Sequence, residues 1–499
     1  MKEPPSGKRI PGRRGPLQLQ GPECTFSRAP AGPRIGIIGA GPGGLSLAQL
    51  LTEKGFADVT LIERAQRVGG KSLTVHHNGI GHELGTCYYA LGYTTVKRWM
   101  KRADIGAFNL DKHRIATGDD DVLDFKNYVL GRKARILGTV IQLKRYLADW
   151  LIFHNWDLRG APSDAPGTAG RPMVDEVAEP FGMWLAHREL DMVARFACRS
   201  MGAMGYGSLD TVPALYGLRW NMPSLLLSGI MKKVIEPTPG WLSLWYYLAG
   251  QLDVRLRHAV LSVDRREHEF VVHTDRGDFA FDHLVISTPL DEAAGWFPFD
   301  ETERKAYPID GETLRWRSYV STLVDATGWF RGIDTKCWAS RLQDSSAIAK
   351  GQVVVARRTG DKSPVARARS QTRPDLYVCY QYGESGQTDA ELLGQLEKDV
   401  IDEGGAVNSV LRQCRWKYSP QLQPDAIRGG AVERMERCQG RRNLWIAGAI
   451  TSHESVDNIV DSNHRLVERM AMSFAGKNSS SPGALAAIAK RYRYRLGDK

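Results

Sequence analysis

Three glycines, Gly39, Gly41 and Gly44, stand in G-x-G-x-x-G spacing between an apolar run, Ile35 to Ile38, and an amphipathic stretch, Leu45 to Leu51. A strand-to-helix turn of this kind cradles a pyrophosphate: Gly39 allows a sharp turn, Gly41 lets backbone approach the phosphates without a Cβ in the way, and Gly44 lets the helix close on the strand. Pro42 and Gly43 complete the loop and count with the phosphate site. A second apolar run, Val59 to Ile62, ends in Glu63, 19 residues past Gly44, where a carboxylate accepts hydrogen bonds from an adenosine ribose. An acid there selects an unphosphorylated ribose.

By itself this spacing also fits an NAD-only unit, because glycine-rich turns are common in α/β proteins. Beyond Glu63, however, the chain continues with Arg64 and then Arg67-Val68-Gly69-Gly70-Lys71. The string E-R-x-x-R-V-G-G-K resembles the second FAD signature of the flavin amine oxidase and phytoene desaturase superfamily. That resemblance implies FAD, with Gly69 and Gly70 bringing backbone close to the diphosphate and ribityl chain, Lys71 assisting and Arg64 alongside. The superfamily's Ser-Gly-Gly-Cys-Tyr context for a covalent flavin is absent, so FAD is expected to be held noncovalently.

Further strings narrow the resemblance. Gly81-His82-Glu83-Leu84-Gly85, Met204-Gly205-Tyr206-Gly207 with Val212-Pro213-Ala214, and Gln439-Gly440-Arg441-Arg442-Asn443 resemble the flavin-dependent polyunsaturated fatty acid double-bond isomerases of linoleate isomerase type. The similarity is patchy over about residues 34 to 470. It implies cofactor contacts at Gly85 and at the end of the last strand, Gly448 and Ala449. There the chain departs from the common Ala-Gly-Glu by reading Ala447-Gly448-Ala449, which puts side-chain contacts in doubt and leaves backbone approach at Gly448.

These motifs need a particular scaffold. The expected fold class is α/β: a Rossmann-type FAD-binding domain built from discontinuous segments (34–95, 241–289 and 431–476), plus a substrate domain of mixed sheet and helices (96–240 and 290–430). Within the first, strands at Leu261 to Asp264 and Phe270 to Asp275 are joined by the polar turn Arg265 to Glu269, and Leu284 to Ser287 leads into Thr288-Pro289. Within the second, helices are expected at 136–151 and around Phe181 to Phe196, separated by a Gly/Pro/Ala/Ser-rich linker at 160–172. Strands are expected at Gln352 to Ala356 and Leu376 to Tyr380, with a helix at Glu391 to Ile401.

Composition excludes several other classes. At 499 residues the chain is too long for one core. The seven cysteines form no C-x-x-C pair and the histidines have no ligand spacing, so no metal site is expected. Seven Lys/Arg against two Glu in residues 1–34, and six against one Asp in residues 477–499, account for most of the net +11. A near-neutral body with two basic arms does not fit a folded nucleic-acid groove. Both arms (1–33 and 477–499) read as disordered. The run Lys490-Arg491-Tyr492-Arg493-Tyr494-Arg495 is either a solvated tail or a contact for anionic lipid or RNA. With no apolar run of transmembrane length and no secretory leader at Met1-Lys2-Glu3, the expected location is the cytoplasm, with peripheral membrane contact through the basic tails as an option.

The flavin accepts a hydride at N5, and only one dinucleotide fingerprint is visible, so the electrons go to oxygen, to another acceptor, or back to the substrate. The isomerase resemblance implies the last route: a hydride leaves an allylic carbon and returns to a different one, shifting the double bond with no net redox. An FAD-dependent oxidase or desaturase of a natural product or amine, and a non-catalytic flavin-binding module, stay open. For a lipophilic substrate pocket the candidates are Tyr88, Tyr89, the helix 136–151, Met201, Met204, Tyr206, Trp220, Trp416 and Tyr418. Tyr206 leads, since the resemblance also falls on its motif, and Arg114 is the guanidinium expected at an entrance for a substrate carboxylate.

Overall fold

Short apolar runs buried on both faces make parallel strands, and four of them meet here. The computed structural model describes residues 32–109, 113–116, 122–130, 136–231, 233–330, 333–359 and 375–474. Ile35–Ile38 lies at the centre of a five-stranded sheet, in the order Leu444–Ile446, His283–Ile286, Ile35–Ile38, Val59–Ile62, Asp253–Arg255. Every pairing is parallel. The first four strands are buried at every position. Strands remote in sequence therefore share one core. Gly39, Glu63, Ser287 and Ala447 all follow carboxyl ends, the edge at which such sheets bind ligands.

A seven-stranded sheet makes the second layer, in the order Ala406–Leu422, Leu314–Thr327, Asp375–Tyr382, Val355–Arg358, Thr335–Trp338, His113–Ala116, Val122–Asp124. Only Thr335–Trp338 and His113–Ala116 run parallel. The fold is thus mixed α/β, with a Rossmann-type sheet and a second sheet of largely antiparallel strands under helices. A three-stranded meander, Val260–Arg265, Phe270–Thr274 and Gly277–Phe281, joins the two Rossmann strands on either side of it in sequence. Its first turn is closed by the Arg266 N–H donating to the Glu269 carbonyl, as the polar turn predicts.

Three local expectations need correction. The strand predicted at Gln352 to Ala356 begins at Val355 and runs to Arg358, because the Val353 N–H is already spent on the Asp399 carboxylate, 2.6 Å away. The helix predicted around Phe181 to Phe196 is two helices, Phe181–Ala186 and Asp191–Gly202, broken at Glu189, whose φ is +54°. The helix at 136–151 extends to Ile136–Leu158, but it buries only one stripe, including Tyr146, Phe153 and Trp156. Val140, Ile141, Leu147, Leu151 and Ile152 are each at least 40% exposed on the other side, and no residue of this helix lines the cavity that holds Tyr206. A 3.6-residue period locates a helix, yet a face apolar on both sides does not say which side the core takes. Residues 1–31 and 475–499, which hold most of both basic arms, lie outside the described residues.

Candidate active site

Each glycine of the first signature is required for a distinct reason. The helix Pro42–Lys54 starts at Gly41 with Pro42 in its first turn, where a missing N–H costs nothing. Gly39 has φ +105°, and its N–H donates to the Ile62 carbonyl. A Cβ on Gly44 would stand 1.9 Å from the Gly39 carbonyl oxygen, so helix and strand could not close. The second signature folds back over the first: the Gly69 N–H donates to the Ala40 carbonyl, and a Cβ on Gly70 would lie 3.0 Å from the Gly41 Cα. A Cβ on Gly43 would lie 3.1 Å from the Gly448 Cα, so the last strand closes on the same point. Three bare backbone segments converge there.

They line one end of a cavity of about 850 Å³. Gly39, Gly41, Pro42, Gly43, Glu63, Arg64, Gly70, Lys71, Gly85, Gly448 and Ala449 all contribute. Gly44 and Gly69 do not; they hold the two loops in place behind the wall. The Glu63 carboxylate accepts from the backbone N–H groups of Ala40 and Ala65, both at 2.8 Å, which fixes it at the strand end with lone pairs to spare. Gly85 packs flat on the Lys71 backbone, where a Cβ would meet the Lys71 carbonyl oxygen at 1.7 Å.

The other end of the cavity is aromatic. Tyr206 stacks parallel to Tyr418 with ring centroids 5.8 Å apart and meets Trp220 edge-on at 5.0 Å. Tyr418 faces Tyr319 at 6.0 Å, and Tyr319 stacks on Tyr380 at 5.6 Å. Behind Tyr380 and Tyr88 lies the buried Arg357 guanidinium, within 5.9 and 5.1 Å of their ring centroids. The Tyr206 hydroxyl donates to the Glu454 carbonyl at 2.7 Å. His453 packs its ring edge-on to Tyr206 at 4.3 Å, and burial holds it neutral, with its pKa lowered to about 3.

Charge is distributed unevenly. Three carboxylates line the cavity, and all are engaged: Glu63 as above, Glu292 with Arg64 at 3.3 Å and Lys417 at 3.4 Å, and Glu454 with Lys71 at 2.7 Å and the Ser419 N–H at 3.0 Å. Lys71 stands over the Tyr418 ring at 5.4 Å, and the helix Asp191–Gly202 brings Arg199 to the lining. Nearby, the Tyr88 hydroxyl is buried with no hydrogen-bond partner. Burial pushes it up to about 12, against the pull of Arg357 and Arg199.

Of the expected pocket residues, Tyr88, Tyr89, Met204, Tyr206, Trp220, Trp416 and Tyr418 line the cavity. Met201 packs in the core instead. Arg114 sits exposed on the strand His113–Ala116, away from the cavity wall. Sequence reasoning missed His258, Ala259 and Val260 at the nucleotide end, and Arg199, Trp316, Lys417 and Glu454 further in. Val260 was readable as the start of a strand, but its approach to the cavity depends on the register of the meander. Glu454 supplies a carboxylate five residues beyond Ala449, where the motif had lost one.

A model of an NAD(P)-binding Rossmann-like domain matches residues 37–103. The polyenoic fatty acid isomerase of Ptilota filicina is 25% identical over 217 residues, which is 40% of this chain and 43% of that protein. Polyamine oxidase 1 of Zea mays is 39% identical over 57 residues, 11% of each. The chain thus matches less than half the length of these curated relatives. Among solved structures, a CLA-producing fatty acid isomerase from P. acnes superposes with a TM-score of 0.72 at 22% identity, over 88% of this chain and 98% of that one. This superposition shows a shared fold. The nucleotide end of the cavity lies in a dinucleotide-binding domain. Putrescine oxidase bound to putrescine superposes with a TM-score of 0.63 at 15% identity, over 88% of this chain and 99% of that one. The bare backbone at Gly41, Gly43, Gly70 and Gly448 and the anchored Glu63 carboxylate are what a dinucleotide's diphosphate and ribose need. No helix among the described residues is long and apolar enough to cross a membrane.

Proposed function

We propose that this chain is an FAD-dependent enzyme that transfers a hydride to and from an unsaturated lipophilic substrate, and that the reaction is a redox-neutral double-bond isomerisation of a fatty acid or similar polyene. When bound, FAD supplies the hydride acceptor and donor. The chain's own residues do the rest. The aromatic wall from Tyr380 through Tyr206 to Trp220 excludes water and holds an apolar chain flat. Tyr206 is fixed by the Glu454 carbonyl, so it is a rigid surface rather than a mobile one, and Tyr89 completes the wall. Arg199 and the Tyr88 hydroxyl, both in the cavity lining, are the groups that would face a substrate carboxylate.

One observation carries this reading: beyond Glu63 at the nucleotide end, the carboxylates in the cavity lining, Glu292 and Glu454, are paired with lysines, and the aromatic part of the lining includes Arg199. A cationic amine would lack a counter-ion there and would meet a like charge. That speaks against the alternative, an amine oxidase, although an oxidase or desaturase of a neutral natural product would fit the same wall. The curated isomerase relative supports the first choice. The apolar substrate also suits a cytoplasmic protein working near membranes.

Anaerobic incubation of the purified holoprotein with polyunsaturated fatty acids, followed by product analysis, tests the proposal. A shifted double bond is expected, with substrate-derived deuterium retained in the product and no peroxide on later admission of air beyond the bound-flavin equivalent. Peroxide released in step with product would replace isomerisation by oxidation. If no polyene either reacts or bleaches the flavin, the reading fails.

A further inference from the structure

The helix Ile136–Leu158 is unusual in which of its residues face out. Val140, Lys144, Leu147 and Leu151 follow one another at helical spacing along one stripe, and Ile141, Arg145, Ala148 and Ile152 form the stripe beside it. All eight are exposed. The exposed face thus holds six apolar side chains and two cations. The two acids of this helix are turned inward, Asp149 to Arg188 at 3.3 Å and Asp157 to Arg219 at 2.7 Å. Glu189, itself 81% exposed, pairs with Arg145 from the edge of the face, and Asp191 is exposed next to Met192, whose N–H donates to Gln142 of this helix.

We propose that this face docks on an anionic lipid surface. Large apolar side chains interleaved with cations, with the acids withdrawn, match the headgroup boundary of such a surface, where apolar groups enter the acyl region and Lys and Arg meet the headgroups. A second copy of the chain is a poorer occupant, because a self-complementary interface would bring Lys144 and Arg145 toward their own copies. The location also makes sense. The Tyr146 hydroxyl donates to the Asn221 carbonyl, and from Asn221 the chain enters the helix Pro223–Ile230. That helix walls the cavity with Leu225 and Gly229 while Leu227 is 50% exposed, and Met231 just past its end is 51% exposed.

The test is co-sedimentation of the full-length holoprotein with vesicles of phosphatidylcholine alone or mixed with phosphatidylglycerol. Binding is expected only with the anionic mixture. The double substitution Leu147→Glu, Leu151→Glu is expected to lower the partition coefficient roughly tenfold, and Lys144→Glu to lower it less. Both sites are exposed, so bound-flavin absorbance and melting temperature should match the parent. Absence of binding to either vesicle overturns the proposal, as does binding that the double variant retains, which would belong to the basic arms. So does a dimer, seen by light scattering, that the double variant dissociates. None of these readouts depends on turnover, so the proposal stands or falls apart from the assigned reaction.

Discussion

The two ends of the cavity are built on opposite principles. The nucleotide end is made of absent side chains: Gly41 with Gly43, Gly70, and Gly448 bring three stretches of backbone to one place. The aromatic end is made of large side chains from distant strands and helices, such as Tyr88, Tyr206, Tyr319 and Tyr418, and its contacts are ring on ring. Removing bulk is tolerated poorly at neither end in the same way. At the first, any added carbon is an obstruction; at the second, specificity rests on which group is presented.

The contrast can be broken most sharply at the glycines. Gly44→Ala places a carbon 1.9 Å from a carbonyl and is expected to abolish soluble folded protein. Gly41→Ala, with 3.7 Å to its nearest neighbour, should fold with a near-parental melting temperature yet bind flavin about tenfold more weakly, because its methyl enters the phosphate site. Equal outcomes for the two variants would erase the distinction between holding the wall and forming it. At the aromatic end, Arg199→Gln should raise KM for a fatty acid by roughly tenfold to a hundredfold while kcat moves little, since a carboxylate anchor distant from the reacting carbons contributes uniform binding. A fall in kcat alone would give Arg199 a different role.

A third prediction concerns the seam between the ends. Burial raises Glu83 from 4.5 to about 8, while Thr74 and the Trp241 N–H donate to one of its oxygens. The folded state therefore keeps a proton that the unfolded chain has lost across that window. Stability from this group is full below about pH 4.5 and declines as pH rises toward about 8. Glu83→Gln should flatten that decline, giving melting temperatures close to the parent's in acid and higher than the parent's in mild alkali. The smallest effect is expected at Arg114→Gln, exposed and away from the cavity: KM should stay within about twofold. A large rise there would move the entrance to the far side of the molecule.

The same contrast explains what the sequence reveals. The nucleotide end is encoded locally, so Gly39, Gly41, Gly44 and Glu63 are legible from spacing, Gly69 and Gly70 from the motif resemblance that follows them, and the parallel sheet from four short apolar runs. The aromatic end depends on register between strands as remote as Leu314–Thr327 and Ala406–Leu422, with a bulge between Arg315 and Arg317. Tyr206 was legible because it lies in a motif. Arg199 was not, because it is one arginine in an ordinary amphipathic helix, and only the packing of that helix aims it inward. The helix Ile136–Leu158 misled for the converse reason, its apolar residues being divided between core and surface.

The strand Leu444–Ile446 is the sheet's outer member, and the residues just after it, through Val456, close the cavity against Gly43 and Lys71. On a ribosome, both glycine signatures emerge some 400 residues ahead of their last wall. The nascent chain can thus pair its early strands before the wall that would hold a flavin exists. Cofactor capture becomes a late event of synthesis, and a chain truncated before that strand is expected to leave the ribosome colourless.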